Sequence, residues 1–218
     1  MRLRHLVGAR RPNDAAQHCR VVQPGIQEYW SERLFVAFRP KDVRYPRRPR
    51  RPQQKLLHAE LVRTRQRVGG PFAIWLRNPP LADSANRLTL ALREHGKLEK
   101  RLFELIVLIV VRHWSAEYAW ASHAPNAEIA GVSPDVIKAI RNRHRPDFKR
   151  PDEKVIYEAV SELLETKALS PATYERALAQ FGLDLTIEII TVAGFYGMVA
   201  TVLKGFDVPT PTGDHPFK

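Results

Sequence analysis

The sequence has 218 residues and a formal net charge of +12, which is enough length for one packed core and enough charge to suggest nucleic-acid binding. The charge is uneven: residues 1–67 hold 17 Lys and Arg against five Asp and Glu, whereas residues 68–218 hold 18 of each. The distribution therefore excludes a basic folded domain and limits any nucleic-acid contact to the N-terminal segment.

Cys19 is the single cysteine, so neither an intrachain disulfide nor a Cys-x-x-Cys redox pair is possible. This usage fits a reducing compartment, and we predict a cytoplasmic protein. The opening MRLRHLVGARRPND is too basic, and its apolar part too short, for a signal peptide. No set of His, Cys and carboxylate residues has the spacing of metal ligands, and the sequence predicts no metal and no cofactor.

The first 52 residues show no sustained period of either 2 or 3.6. Their last part, RPKDVRYPRRPRRP (39–52), favours an extended, solvated chain. We therefore predict that residues 1–52 form a disordered basic extension, or an upstream region translated from a start codon set too early. Within them, IQEYWSERLFVAF (26–38) has the length of one short helix or strand.

Order is predicted from residue 53. The stretch QQKLLHAELVRTRQ (53–66) has apolar residues among good helix formers and predicts a helix. The next stretch, VGGPFAIWLRNPPLAD (68–83), is interrupted by Gly-Gly-Pro and Pro-Pro and indicates a structured loop. Asp83 or Ser84 then caps a helix that Gly96 ends.

Residues 98–112 predict a strongly apolar helix, followed by a break near Trp114. Ser115 is expected to start the next helix, with Glu117 in its first turn, and Gly131 to close it.

A capping residue followed by Pro or an acidic first turn then recurs along the chain. Helices are predicted to open at Ser133, Pro151 and Ser170, because Pro is favoured at the first helical position. A last helix opens at Asp184 or Thr186, and Gly205 serves as its left-handed stop. The sequence therefore predicts an all-α fold, with one domain over residues 53–211 and a tail over 212–218.

The apolar run 183–203 predicts a buried helix and not a membrane span, because charges lie near its ends and Thr and Gly lie inside it. The run is apolar on most of its circumference, more than one core face needs, and Gly194 and Gly197 allow close approach. We therefore predict a homo-oligomer with no membrane partner.

The hairpin of helices around Trp114 contains two ionisable residues at the same level. Glu104 lies ten residues before the break and His123 nine after it, so in an antiparallel hairpin both lie about 14 Å from the turn. Glu104 interrupts an apolar run, and a buried carboxylate needs a partner. His123 is the nearest candidate.

Ala116, Ala119 and His123 are spaced i, i+3, i+7 and share one helix face, with Tyr118 close by. A Glu–His pair beside a cavity is general acid–base equipment, because the carboxylate fixes the imidazole tautomer and strengthens it as a base. The structural alternative is a buried pair that only fixes the register of two helices. Spacing alone leaves both open.

The stretch RLFELIVLIVVRHWSAEYAWASHAPNAEIAGVSPDVIKAI resembles the core of carboxymuconolactone decarboxylase-like proteins, within the alkylhydroperoxidase D-like superfamily. GGPFAIWLRNPPLAD and ITVAGFYGMVATVLKGFDVPTP resemble the flanks of the same family, so the resemblance extends over about residues 67–211. It implies an alkylhydroperoxidase D-like helical bundle that assembles into dimers, trimers or hexamers.

The resemblance also assigns positions. Peroxidase members of the family have a Cys-x-x-Cys pair, a Glu twelve residues before the first Cys and a His four after the second. Here the Glu falls on Glu104 and the His on His123, but the two Cys positions are Ala116 and Ala119. Tyr118 stands where the peroxidases have another His. Without a thiolate and a resolving thiol, peroxide reduction is not expected.

What remains is proton transfer. The resemblance implies a cofactor-independent lyase or hydrolase that acts on a small carboxylic acid or lactone, with Tyr118 donating to developing negative charge. The alternatives are the family's thiol peroxidase activity and a non-catalytic oligomeric protein. The residues predicted to line the pocket are Phe72, Trp75, Trp114, Ala116, Ala119, Trp120 and Tyr196.

Overall fold

The computed structural model of the chain describes residues 52–65 and 68–218. Residues 1–51 of the predicted N-terminal extension, with the segment 26–38, lie outside these residues, and Pro52 is already helical. The described part contains helices and no strands, which confirms the all-α prediction. In chain order the helices are α1 (Pro52–Arg65), α2 (Pro71–Trp75), α3 (Pro79–Glu94), α4 (Lys100–His113), α5 (Glu117–Ile129), α6 (Pro134–Arg141), α7 (Pro151–Thr166) and α8 (Pro171–Gly205).

Helix α4 is the centre of the bundle, and every residue from Arg101 to Val111 is buried. Its sequence is apolar on almost all sides, so it is stable only where other helices surround it. Helices α5, α7 and α8 pack along it, and α6 contacts one part of it. This arrangement buries any polar side chain that α4 carries, which is the situation of Glu104.

The segment 68–83 differs from the predicted loop. It contains the short helix α2, and α3 already begins at Pro79, so Asp83 and Ser84 are helical residues and not caps. Both helices have Pro in the first turn, where its missing N–H costs no hydrogen bond. Gly-Gly-Pro and Asn-Pro-Pro are therefore helix starts in this chain.

Ser115 does not start α5 as predicted. Its φ of 51° is left-handed, and the helix begins at Glu117 with Ala116 at the N-cap. The Ser115 hydroxyl accepts hydrogen bonds from Arg112 Nη1 at 3.2 Å and Arg143 Nη2 at 3.0 Å, so it faces arginines and not the helix N–H groups.

Helices α6 and α7 begin where the sequence predicts. Ser133 Oγ accepts a hydrogen bond from the backbone N–H of Asp135, and Pro134 occupies the first helical position. Gly131, at φ 96°, directly follows Ala130, the C-cap of α5, and closes that helix as predicted. Helix α7 starts at Pro151 with two acidic residues in its first turn.

Helix α8 is interrupted at one residue. Gly182 has φ 71° and ψ 175°, and the helix resumes immediately, without a cap from Asp184 or Thr186. Gly205 is the last helical residue and not the left-handed stop; Asp207 has that conformation, at φ 42°. The Thr186 hydroxyl instead donates to the carbonyl of Gly182 at 2.7 Å.

Helix α8 is also long and apolar enough, by length and composition, to cross a membrane. Core helices of globular proteins have the same properties, and 44% of its most apolar window is buried against the bundle.

Candidate active site

The hairpin of α4 and α5 brings Glu104 and His123 together. Glu104 Oε2 lies 2.6 Å from His123 Nδ1, the distance of a charge-assisted hydrogen bond. The two helices pack along each other, so residues equidistant from the turn at Trp114 lie at the same level. Glu104 and His123, at nearly equal distances in sequence from Trp114, are therefore in contact.

Glu104 lies behind His123 and not at a surface. Its side chain is 1% exposed, and its second oxygen, Oε1, is buried with no hydrogen-bond donor among the described residues. The nearest cation is Arg93, whose Nη2 lies 4.0 Å from that oxygen. A carboxylate in this position depends on His123 for its hydrogen bond and on Arg93 for distant charge compensation.

The imidazole of His123 is fixed by its neighbours. Tyr196 contacts it edge to face, with the ring centroids 5.1 Å apart, and Phe103 supports Tyr196 at 5.7 Å. Because Nδ1 is bound to Glu104, the tautomer that donates from Nδ1 leaves Nε2 as an acceptor. Nε2 has no partner among the described residues, and the ring borders a cavity.

The cavity has a volume of about 300 Å³, at the lower end of the range for ligand pockets. Helices α3, α5 and α8 and the segment before α3 form its walls, so a small molecule would be enclosed between elements distant in sequence. Its lining residues are Gly69, Pro71, Phe72, Thr89, Arg93, Tyr118, Ala119, Ser122, His123, Asn126, Phe195, Tyr196, Val199 and Leu203.

Of the seven residues predicted to line a pocket, the structure places Phe72, Ala119 and Tyr196 there. Tyr118, predicted as a proton donor, also lines the cavity. These positions agree with the small-residue face that ends at His123. The catalytic roles of Glu104, His123 and Tyr118 stay predictions.

Four predicted lining residues lie elsewhere. Trp75 is buried in the core against Phe72, and Ala116 is buried at the N-cap of α5. Trp120 is buried and packs edge to face on Phe217, with the centroids 5.2 Å apart. Trp114 is 41% exposed at the hairpin turn. Aromatic residues at helical spacing serve the core here, which is their commoner role.

Tyr118 is held against the segment that precedes α2. A Cβ built on Gly70 would lie 2.5 Å from Tyr118 Cε1, and one on Gly69 would lie 2.9 Å from its Oη. Gly70 also has φ 54°, a conformation that residues with a side chain rarely adopt. The two glycines therefore allow the tyrosine ring to stand at the cavity wall.

Several lining residues were not predicted. Asn126 lies three residues after His123 on α5, a spacing that places both on one helix face and was a usable signal, whereas the adjacent Ser122 has no such spacing. Phe195, Val199 and Leu203 share a face of α8 at i, i+4, i+8, next to Tyr196. Nothing in the sequence distinguished Arg93 from the other arginines.

A larger depression of about 740 Å³ lies away from His123, between α7 and α8. Its walls carry charges of both signs that pair with each other: Arg145 with Glu158 at 2.6 Å, and Arg176 with the same carboxylate at 3.8 Å. It has the character of a solvated ion-pair network. Over residues 52–65 and 68–218, no group of three or more His, Cys, Asp or Glu is arranged to hold a metal ion.

Comparison with known proteins gives a fold relationship. A crystal structure of an uncharacterized peroxidase-related protein from Silicibacter sp. TM1040 superposes with a TM-score of 0.61 at 15% identity. The match covers 77% of this chain and 90% of that one. No family model matches the sequence, and no curated protein matches it. The two chains therefore share a fold, which agrees with the bundle that the resemblance implies.

Proposed function

We propose that the protein is a carboxymuconolactone decarboxylase-like enzyme that uses Glu104 and His123 for acid–base chemistry on a small carboxylic acid or lactone, without a cofactor. The observation that carries this proposal is the 2.6 Å contact from Glu104 Oε2 to His123 Nδ1, with His123 in the wall of a cavity. A carboxylate–imidazole pair of this kind takes a proton at Nε2 and returns it.

Each residue has one task in the proposed reaction. His123 Nε2 removes a proton from the substrate or from water, and the resulting imidazolium is stabilised by Glu104. Tyr118, in the wall of the same cavity, donates to the oxygen on which negative charge develops.

Thiol peroxidase activity is the second candidate, favoured by the peroxidase-related description of the protein that shares this fold. The thiols are missing where that chemistry needs them. Ala116 and Ala119 occupy the positions of the cysteine pair, and Cys19 lies outside the described residues. Alanine cannot attack a peroxide oxygen or resolve a sulfenic acid. Acid–base chemistry is therefore the better proposal.

The test uses purified wild type, His123→Ala and Glu104→Gln on a panel of small lactones and carboxylic acids, with mass spectrometry to detect gain of water or loss of CO₂. We expect turnover by the wild type and a loss on the order of 10²–10⁴-fold in His123→Ala, the usual contribution of a general base. His144→Ala, at an exposed histidine outside the cavity, is the matched control and should keep full activity.

Turnover that is unchanged in His123→Ala would contradict the proposal. So would a wild type that turns over no compound of the panel while Glu104→Gln unfolds at much lower denaturant concentration. The second result would assign the pair to helix packing, because a buried carboxylate that has no hydrogen bond among the described residues except to His123 can serve stability alone.

A further inference from the structure

The cavity contains a guanidinium group that donates no hydrogen bond to any residue that the structure describes. Arg93 lies in the last turn of α3, and among the described lining residues of this cavity it is the one Lys or Arg. Within the described part of the chain its guanidinium donates no hydrogen bond; its contacts are Glu104 Oε1 at 4.0 Å and the Phe103 ring, 6.0 Å from Cζ to the centroid. The side chain is 33% exposed, so it faces the opening and not the core.

These contacts orient the guanidinium group of Arg93 but accept none of its hydrogen bonds. The ring face and the distant carboxylate hold the guanidinium by charge, while its five N–H donors keep their fork geometry free. A planar fork of this kind fits a carboxylate through two parallel hydrogen bonds. Glu104 cannot take that place, because its Oε1 lies beyond hydrogen-bond distance and its Oε2 is bound to His123.

The charge of the site favours a monoanionic ligand. The formal charges of Glu104 and Arg93 cancel, so one bound carboxylate leaves a single net negative charge near a buried carboxylate. A phosphate dianion would add a second, next to a group that is 1% exposed. The other walls combine Phe72, Phe195 and aliphatic side chains with the polar side chains of Thr89, Ser122 and Asn126. They fit a small molecule that has an apolar part and further polar groups.

We propose that Arg93 binds the carboxylate of a small monocarboxylate substrate and holds its reacting atom at His123 Nε2. This assignment rests on the proposed function and narrows it. A carboxylate in a two-point ion pair is stabilised in the ground state relative to CO₂. The anchored carboxylate therefore stays on the product, and the proton transfer takes place elsewhere on the substrate, as in hydrolysis of a lactone ring.

The test measures binding, so it does not depend on turnover. Benzoate, its neutral isostere benzamide and phenyl phosphate are titrated by calorimetry into wild type, Arg93→Gln and Arg93→Lys. We expect the wild type to bind benzoate at least ten times more tightly than either analogue. Arg93→Gln should lose this preference with little change for benzamide, and Arg93→Lys should keep part of it, because it retains the charge but not the fork.

Arg87→Gln is the matched control, on the same helix and paired with Asp83 at 2.8 Å outside the cavity, and should bind benzoate as the wild type does. Benzoate binding that is equal in wild type and Arg93→Gln, or absent from the wild type, overturns the assignment. Phenyl phosphate bound more tightly than benzoate overturns the monoanion argument. His123→Ala should still bind benzoate, so loss of its turnover with intact binding separates this proposal from the proton-transfer role.

Discussion

Two glycines make room for the ring of Tyr118 at the cavity wall. The ring occupies space that a side chain at Gly69 or Gly70 would need. Gly70 in addition has the positive φ that a Cβ disfavours. The backbone of Gly69 and Gly70, just before α2, therefore fixes how closely Tyr118 can approach, although neither residue has a side chain.

Gly70→Ala should displace Tyr118 and destabilise the protein by about 1–2 kcal/mol, the usual cost of a left-handed alanine. Urea unfolding measures the stability, and the aromatic NMR signals of Tyr118 report its displacement. Gly205→Ala is the control, because a Cβ there meets no atom within 4 Å and φ is not positive. An alanine at position 70 that left both the unfolding midpoint and the tyrosine signals unchanged would show that the close packing is not needed.

The sequence was enough to predict that Glu104 and His123 lie next to each other. It was not enough to predict that Arg93 lies in the same cavity. The first two lie in consecutive helices, so counting residues from the turn gives their relative height. Arg93 and Phe195 come from α3 and α8, whose placement around α4 depends on packing between distant parts of the chain. No local pattern encodes that placement.

Among the helices, the start of α7 is tied to α4 by a buried arginine. Arg101 is 3% exposed and donates to Glu153 at 2.6 Å, to Asp152 at 2.7 Å and to Glu99 at 3.1 Å. Burial opposes the charged form of Arg101, but its hydrogen bonds to the three carboxylates outweigh this and raise its pKa. Burial alone would raise the pKa of Asp152, yet the hydrogen bond from Arg101 lowers it.

Arg101→Met should cost about 3–5 kcal/mol of stability, because it leaves the buried carboxylate of Glu153 and the half-buried one of Asp152 without their cation. Arg87→Met, at an exposed pair on α3, should cost little.

The wild type should also lose stability as the pH falls below about 3.9 and through the lowered pKa of Asp152, because a depressed carboxyl pKa stabilises the fold only above that range. The Met variant should show a flatter acid limb in urea unfolding; an equally steep one would contradict the pairing.

The same elements show what capping patterns predict. Ser-Pro and Pro-Asp-Glu marked the starts of α6, α7 and α8 correctly, because the cap and first turn are local in sequence. Ser115 failed as a cap because two arginines from other turns bind its hydroxyl. Asp83 failed because α3 had already begun at Pro79 and the aspartate pairs with Arg87 one turn later.

Self-association of the protein stays a prediction, and an exposed apolar face of α8 is the expected interface. Leu183, Ile187, Ile190 and Met198 are all at least 38% exposed and follow one face of the helix. Between them, a Cβ on Gly194 would meet no atom within 4 Å. A continuous apolar face with a glycine at its centre permits close packing against an identical helix, and a two-fold pair would bury the same residues from both copies.

We expect the purified protein to be a dimer or larger, and Ile187→Asp to shift it toward the monomer by placing a charge in the middle of this face. Size-exclusion chromatography with light scattering measures the mass directly. Ile129→Asp is the matched control, because Ile129 is 80% exposed at the end of α5, outside the α8 face, and its substitution should leave the mass unchanged. A monomeric wild type, or an Ile187→Asp protein with the wild-type mass, would mean that α8 does not mediate self-association.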